Sequence, residues 1–168
     1  GLELAVIDSD DFSFNIGGNI AFNKTRIENL GLTPSDILMS NGDGSYSNIQ
    51  APFYLGNQPS RGNSIKFPVN IFMEGKEVGL FYGWKTDGIF QDGDQMYSMN
   101  GAMSQPGDVK VLDLNGDGIV DLDDRTIIGN PNPDFVYGIN LDFSYKRVSL
   151  TALFNGVSGN EIVNGNLY

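Results

Sequence analysis

The segment from Phe12 to Asn23 alternates apolar and polar positions along its whole length. This period of two is that of a β-strand, whose successive side chains point to opposite faces of a sheet. The apolar face comprises Phe12, Phe14, Ile16, Gly18, Ile20 and Phe22, and the other comprises Ser13, Asn15, Gly17, Asn19, Ala21 and Asn23. The segment therefore predicts a strand with one apolar face and one polar, uncharged face.

Two further segments show strand patterns. Residues Leu2 to Ile7 predict a short strand that ends at the polar turn from Asp8 to Asp11. Residues 135–157 predict a hairpin whose two strands alternate and meet at the two-residue turn Lys146-Arg147. Its apolar positions are Tyr137, Ile139, Leu141, Phe143, Tyr145, Val148, Leu150, Ala152 and Phe154.

Two architectures accommodate such an apolar face. In a soluble sandwich it packs against a second sheet, whereas in an outer-membrane barrel it faces lipid and the polar face lines the lumen. Strands of about ten residues with a tight turn and tyrosines near both ends suit a barrel wall. The alternation leaves both readings open, and the greater frequency of soluble sheets favours the sandwich.

Composition and charge exclude several classes of function. The 168 residues fit one domain, and the net charge of -11 argues against nucleic acids and anionic lipid surfaces as partners. The absence of histidine and cysteine removes the usual general base, cysteine nucleophiles and thiolate metal sites. No run approaches the roughly 18 apolar residues of a transmembrane helix.

The twelve residues from Asp113 to Asp124 match a calcium-binding loop. Oxygen ligands are expected at alternate positions, a glycine at the sixth position for the sharp turn, and an acid at the twelfth. The glycine is Gly118. The predicted ligands are Asp113, Asn115, Asp117, the backbone carbonyl of Ile119, Asp121 (directly or through water) and Asp124.

The charge around this loop also favours a bound cation. Residues 87–124 contain nine acidic residues and one basic residue, Lys110, so a divalent ion would relieve repulsion. The alternative is a solvated acidic turn, because Asp-Gly and Asn-Gly pairs commonly form turns. Asp124 is shorter than the usual glutamate, which favours monodentate binding, weaker affinity and the admission of magnesium.

The segments around the loop predict irregular structure. Gly129, Pro131 and Pro133 disfavour a long helix after the loop and thus an EF-hand. Residues 24–65 predict a long loop with one short hairpin, with turn sequences at 41–45 and 58–63.

Residues 65–73 and 78–84 predict strands, and Pro68 favours an edge or a bulge for the first of them. Residues 82–90 mix aromatic residues and glycines. A loop pinned by its own aromatic side chains is favoured there over a stacking surface for a sugar or peptide.

Taken together, these motifs resemble a known family. Pro106-Gly107-Asp108-Val109-Lys110, the run from Asp113 to Asp121, the run from Asp124 to Phe135 and Tyr137-Gly138 resemble the C-terminal half of SusC/RagA-type TonB-linked outer-membrane proteins, the TonB-dependent receptors. Residues 1–4, 12–23 and 83–90 are similar as well. The likeness is weakest at residues 30–63.

The resemblance implies an all-β fold with antiparallel strands from a plugged, roughly 22-stranded barrel in the outer membrane of a Gram-negative bacterium. It implies import of glycans or peptides with energy from TonB, beneath a SusD-like surface lipoprotein. The chain has no counterpart of the plug or of the TonB-contacting segment, so it is expected to be an excised portion of a longer protein. About four wall strands cannot close a barrel, which needs roughly eight.

Strand parity then divides the chain, on the condition that it belongs to a barrel. The short turns at 8–11 and 146–147 would be periplasmic, so residues 24–134 would form one long extracellular loop that carries the calcium motif. Residues 1–23 and 135–157 would be barrel strands, and residues 158–168 the start of the next loop. The long loop holds 15 of the 21 acidic residues.

Two other functions remain as alternatives. A soluble calcium-dependent interaction module, of the dockerin or adhesin kind, would use the same loop, although a dockerin normally pairs two such loops with helices. A glycosidase would need two carboxylates in a pocket, and Asp92 and Asp94 lie in an acidic turn with no sequence sign of one. The chain is therefore not expected to be an enzyme.

Overall fold

The computed structural model describes residues 1–57, 67–99 and 101–164. Within these ranges the chain is all-β, with one 3₁₀-helix at Leu122–Asp124 and no α-helix. The strands are β1 Leu2–Ser9, β2 Phe12–Ala21, β3 Ser35–Ser40, β4 Tyr46–Ala51, β5 Phe53–Leu55, β6 Asn70–Met73, β7 Leu80–Trp84, β8 Thr86–Ile89, β9 Ser98–Met99, β10 Ala102–Met103, β11 Val109–Val111, β12 Ile119–Val120, β13 Arg125–Gly129, β14 Phe135–Tyr145 and β15 Val148–Ser158.

Nearly all strand pairs are antiparallel, which confirms the predicted fold class; β12 pairs with β9 in parallel. The turn predicted at residues 58–63 and the last residues, 165–168, lie outside the described ranges. None of the described helices is long and apolar enough to cross a membrane.

The chain divides into two units. The first contains Gly1–Lys24 and Asn132–Ile162, and the second is built on Thr25–Pro131. The first unit is a four-stranded sheet in the order β1-β2-β14-β15. Its two hairpins are those predicted from the alternating segments, with strand ends within two residues of the prediction.

The register of the first unit places both tight turns at one end of the sheet. Phe12 pairs with Tyr145, and the Lys146 amide donates a hydrogen bond to the Asp11 carbonyl at 2.8 Å. At the other end, Ala21 pairs with Val136. Residues 22–134 therefore connect two neighbouring antiparallel strands, and they leave and return at the end opposite the turns.

The alternation continues across all four strands of this sheet. On one face Ile16 lies between Leu4 and Leu141, and Leu141 lies beside Ala152. Phe12 and Phe143 form an edge-to-face pair, with ring centroids 5.1 Å apart. The opposite face is mostly polar, although Leu153, Val136 and Val157 interrupt it. On this face the Ser13 and Ser144 hydroxyls are hydrogen-bonded at 2.8 Å, and Thr151 donates to Asp142 at 2.7 Å.

The second unit has its own core. Its largest sheet has the order β13-β7-β6-β5, and β3 and β4 form a separate hairpin. The core consists of the buried residues Ile37, Ile71, Met73, Leu80 and Tyr82. Residues 24–134, which we expected to be mostly irregular, thus contain strands β3 to β13.

Three local predictions meet different outcomes in this unit. The short hairpin is confirmed, because residues 41–45 turn the chain between β3 and β4. The edge or bulge expected from Pro68 is wrong: β6 begins at Asn70, after the proline, and pairs in regular register with β5 and β7 on its two sides. No ladder hydrogen bond therefore needs the missing N–H. The strand predicted at residues 78–84 is confirmed by β7, but the loop expected over residues 82–90 is wrong, because residues 86–89 form β8.

Candidate metal site

The predicted calcium loop lies between β11 and β13. Its turns rely on two glycines in the left-handed region, Gly116 at φ +79° and Gly118 at φ +84°, with open space around both. A side chain at either position would strain the backbone. The sixth-position glycine therefore does what the sequence pattern requires, and no long helix follows the loop, as predicted.

Backbone amides of the loop point at the side chains of its first half. The Gly116 and Gly118 amides donate to the two carboxylate oxygens of Asp113, each at 2.7 Å. The Asp117 amide donates to Asn115 Oδ1 at 2.9 Å, and the Ile119 amide donates to Asp117 Oδ1 at 2.8 Å. These hydrogen bonds fix the course of the loop from its own acceptors.

Asp124 ties the end of the loop to its beginning. It is fully buried, and its Oδ1 accepts from the amides of Leu114 at 2.8 Å and Asn115 at 3.3 Å. Its Oδ2 accepts from the Asp121 amide at 2.9 Å, while Asp121 Oδ1 accepts from the Asp123 amide at 2.8 Å as the cap of the 3₁₀-helix. The buried carboxylate of Asp124 thus links the two ends of the loop through hydrogen bonds.

The donor chemistry of the loop suits a hard divalent cation, since every predicted ligand atom is an oxygen. The carboxylates do not converge, however: within the described ranges no three acidic side chains lie close enough to hold a metal ion. Asp124 already uses three of the roughly four lone pairs of a carboxylate, which leaves one for a metal. The loop thus has the turns that a calcium loop needs, but its predicted ligands do not surround a single point. The set of metal ligands therefore stays a prediction.

Two residues that sequence analysis did not single out anchor the loop to the sheet of the second unit. Trp84, on β7, donates from Nε1 to the Asp121 carbonyl at 2.6 Å. Arg125 donates from Nε to the Leu122 carbonyl at 3.1 Å, and its guanidinium lies 5.0 Å from the ring centre of Tyr82. Both residues lie in segments that resemble the family, 83–90 and 124–135, so only their contacts with the loop were missed.

The acidic surroundings of the loop are partly neutralised. Lys110 pairs with Asp94 at 3.2 Å. The pKa of the Asp94 carboxyl is lowered, mainly by the hydrogen bond from the Gln91 amide and then by the hydrogen bond from the Lys110 ammonium. Asp94 therefore serves to close its own turn, a structural role that does not require the catalytic pairing with Asp92 considered from sequence.

Several curated proteins are similar to the chain, although no family model matches it. It is 29% identical over 161 residues to TonB-dependent receptor P3 of Formosa agariphila, an alignment that covers 94% of the chain and 14% of that receptor. It is 34% identical over 91 residues to TonB-dependent receptor P26 of the same organism (54% and 9%). It is 28% identical over 151 residues to TonB-dependent receptor SusC of Bacteroides thetaiotaomicron (88% and 12%).

The chain therefore spans about one seventh of the length of receptor P3 and a smaller part of the other two. The likeness to SusC over most of the chain confirms the resemblance inferred from the motifs. The curated homologues of this chain are TonB-dependent receptors, SusC among them, and the chain is homologous to a part of such a receptor.

Proposed function

We propose that the chain forms part of a TonB-dependent transporter in the outer membrane of a Gram-negative bacterium, which imports glycans or peptides. The observation that carries this proposal is the first-unit sheet, whose apolar face is continuous yet exposed. Leu150 is 64% exposed, Ile20 57% and Phe154 55%. A soluble protein rarely leaves so broad an apolar face uncovered.

The dimensions of this sheet also fit a membrane wall. Strands β2, β14 and β15 contain 10, 11 and 11 residues. A tilted strand of about 9–11 residues crosses the hydrocarbon layer. The polar face, with its asparagine, serine and threonine side chains, would then line the interior of the barrel.

The position of the two tight turns supports an outward direction for residues 24–134. Outer-membrane barrels keep short turns on the periplasmic side and long connections outside. Residues 24–134 would then face the outside of the cell, the side from which cargo and a SusD-like surface lipoprotein would approach. Contact with TonB would be made by parts of the receptor outside this chain.

A structural calcium ion, or magnesium in its place, is the further part of the proposal. Asp113, Asn115, Asp117, Asp121, the Ile119 carbonyl and one lone pair of Asp124 would hold it, and it would supply charge neutralisation to the loop. The loop lacks the flanking helices of an EF-hand. The ion would therefore clamp the loop and would not operate a helix switch.

Neither alternative function gains support. The homologues are TonB-dependent receptors, which are transporters and not enzymes. The single loop leads into strand β13 and lacks the helix that a dockerin-like module would use. The exposed apolar face of the first unit has no role in a soluble module.

Calcium is expected to change the fluorescence of Trp84, because the indole is hydrogen-bonded to Asp121 within the loop. For a site with a dissociation constant near 10⁻⁴–10⁻³ M, millimolar calcium should also add about 1 kcal/mol to the stability of the second unit. Fluorescence titration and thermal melts with and without chelator measure both effects.

Asp117→Asn should weaken the calcium response about tenfold, while Asp87→Asn, outside the loop, should leave it unchanged. A parallel titration with magnesium shows which of the two ions the loop binds more tightly. If calcium, magnesium and chelator change neither the melting temperature nor the emission spectrum of Trp84, the protein does not bind a divalent ion at this loop.

Membrane insertion and uptake test the transporter directly. Phe154→Arg places a charge on the apolar face and should cost about 2–4 kcal/mol in lipid, so the protein should fall in abundance in the outer-membrane fraction. Asn155→Arg, on the polar face, is the matched control and should insert normally. Deletion of the gene should abolish uptake of at least one labelled oligosaccharide or peptide, as should dissipation of the proton-motive force.

The reverse pattern would refute the proposal. Equal abundance of the two arginine variants in the outer-membrane fraction would show that Phe154 does not face lipid. Recovery of the wild-type protein in the soluble fraction, or uptake unaffected by deletion of the gene across a broad cargo panel, would show that the protein is no such transporter.

A further inference from the structure

The second unit contains a half-enclosed cavity of about 520 Å³, formed by β3, β4, β5, β7, the metal loop and the first residue of β13. Its volume lies within the range of small-ligand sites. Arg125 and Tyr82 are buried in its wall, whereas Asn48, Asp36 and Asp123 lie at its exposed rim. The cavity lies entirely within one compact unit.

Arg125 is largely buried and has no carboxylate partner among the described residues. Arg125 is 9% exposed, and across the described residues no acidic oxygen lies within ion-pair distance of it. Its Nε is bound to the Leu122 carbonyl, and its plane is held by the rings of Tyr82 and Trp84, at 5.0 Å and 5.8 Å. Its two terminal nitrogens have no hydrogen-bond acceptor among the described residues. Because they are accessible to solvent, they can donate to a ligand in the cavity.

Other polar groups around the cavity are likewise unused. Among the described residues, the Asn48 amide, the Tyr82 hydroxyl and the Asp123 carboxylate have no side-chain hydrogen bond to the protein. Burial raises the pKa of the Tyr82 hydroxyl; the charge of Arg125 opposes this rise, and that of Asp123 adds to it. Unused donors and acceptors therefore face the same space.

Charge decides between ligand classes. The walls carry two carboxylates, Asp36 and Asp123, against one guanidinium, Arg125. An anion would be repelled by the two carboxylates, and a cation would meet the buried guanidinium. A hydroxyl group both accepts from a guanidinium and donates to a carboxylate, so it satisfies both kinds of group.

We propose that this cavity binds an uncharged, hydroxyl-rich ligand, a neutral saccharide unit, with Arg125, Tyr82, Asn48 and Asp123 as its polar contacts. The apolar side chains of Phe53 and Leu55, also in the wall, offer surface to the C–H face of a sugar ring. As a cargo contact of a transporter the site rests on the proposed function, whereas the binding itself does not.

Ligand-observed NMR on the purified full-length protein tests the proposal. The probes are neutral hexoses, pentoses and their oligomers, with uronate-bearing oligosaccharides, sulfated oligosaccharides and short peptides as separate arms. At least one neutral saccharide should bind at millimolar concentration or below. Asn48→Ala, at the rim, should weaken that binding about tenfold, the usual effect of losing one hydrogen bond to a ligand.

Two further variants keep the result interpretable. Asn57→Ala removes an exposed amide away from the cavity and should bind as the wild type does. Arg125→Lys keeps the charge but loses the planar fork, and it should abolish binding while circular dichroism confirms the fold.

The proposal is overturned if no neutral saccharide binds, if only charged probes bind, or if Asn48→Ala and Asn57→Ala behave alike. Binding without uptake in cells would refute the transporter alone, and uptake without binding in this cavity would refute this site alone.

Discussion

Asp124→Ala is expected to lower the free energy of unfolding of the second unit by about 3–5 kcal/mol. The carboxylate is fully buried and accepts hydrogen bonds from the amides of Leu114, Asn115 and Asp121. Its removal leaves three amides without their acceptor and separates the two ends of the metal loop. Urea unfolding followed by the fluorescence of Trp84, the one tryptophan of the sequence, measures the loss.

Two variants separate this effect from metal binding and from general sensitivity of the loop. Asp123→Ala removes an exposed carboxylate one residue away and should change stability by no more than about 0.5 kcal/mol. Asp124→Asn keeps one acceptor oxygen and should fall between. All three variants are measured in the presence of chelator. Any loss of stability in the Asp124 variants then comes from the missing hydrogen bonds and not from a missing metal ion. An Asp124→Ala protein as stable as Asp123→Ala would show that these hydrogen bonds contribute nothing.

The first unit could be predicted from sequence because its signals are local. Alternation over more than ten residues, as from Phe12 to Asn23, distinguishes a strand from a helix without any knowledge of its partners. The turn at Lys146-Arg147 then fixes the register of the last hairpin, since every residue from Tyr145 to Phe135 pairs in order with one from Val148 to Ser158. Local pattern and pairing agree along the whole sheet.

The second unit could be predicted only in part: β6 and β7 fall within the predicted strands at residues 65–73 and 78–84, whereas most of its other strands are too short to show a period. β6 and β7 contain four and five residues, and both lie inside a sheet with buried residues on them. Glycines and polar residues interrupt the segments that contain β8 to β13, so those segments have the composition of a loop. Their identity as strands depends on pairing with residues up to about forty positions away, such as Trp84 with Arg125.

The metal loop and the Arg125 cavity also differ in how much of each could be predicted from the sequence. The turns of the metal loop follow from the positions of Gly118 and the alternating acids, which a linear pattern records. The cavity around Arg125 is formed by segments as distant as Asn48 and Tyr82. The burial of Asp124 is likewise a property of the folded unit that no local pattern records. A single sequence shows that Arg125 follows the loop, but the aromatic rings that hold its plane are identified only once β7 and β13 are paired.

Ile71→Ala is expected to destabilise the second unit by about 2–5 kcal/mol. Ile71 is fully buried on β6 and belongs to a cluster with Ile37, Met73, Leu80 and Tyr82. Truncation removes about three methylene-sized groups from a packed interior and leaves a void that the surrounding strands cannot close. Urea unfolding monitored by Trp84 gives the size of the loss.

The graded series identifies packing as the cause. Ile71→Val should cost about 0.5–1.5 kcal/mol, and Ile89→Ala, at a site 53% exposed on β8, should cost less than about 1 kcal/mol. Because Tyr82 belongs to both this cluster and the wall of the Arg125 cavity, Ile71→Ala should also loosen any saccharide binding, whereas Ile89→Ala should not. Equal losses for Ile71→Ala and Ile89→Ala would mean that the second unit lacks a packed core, and the cavity would then have no rigid wall to present to a ligand.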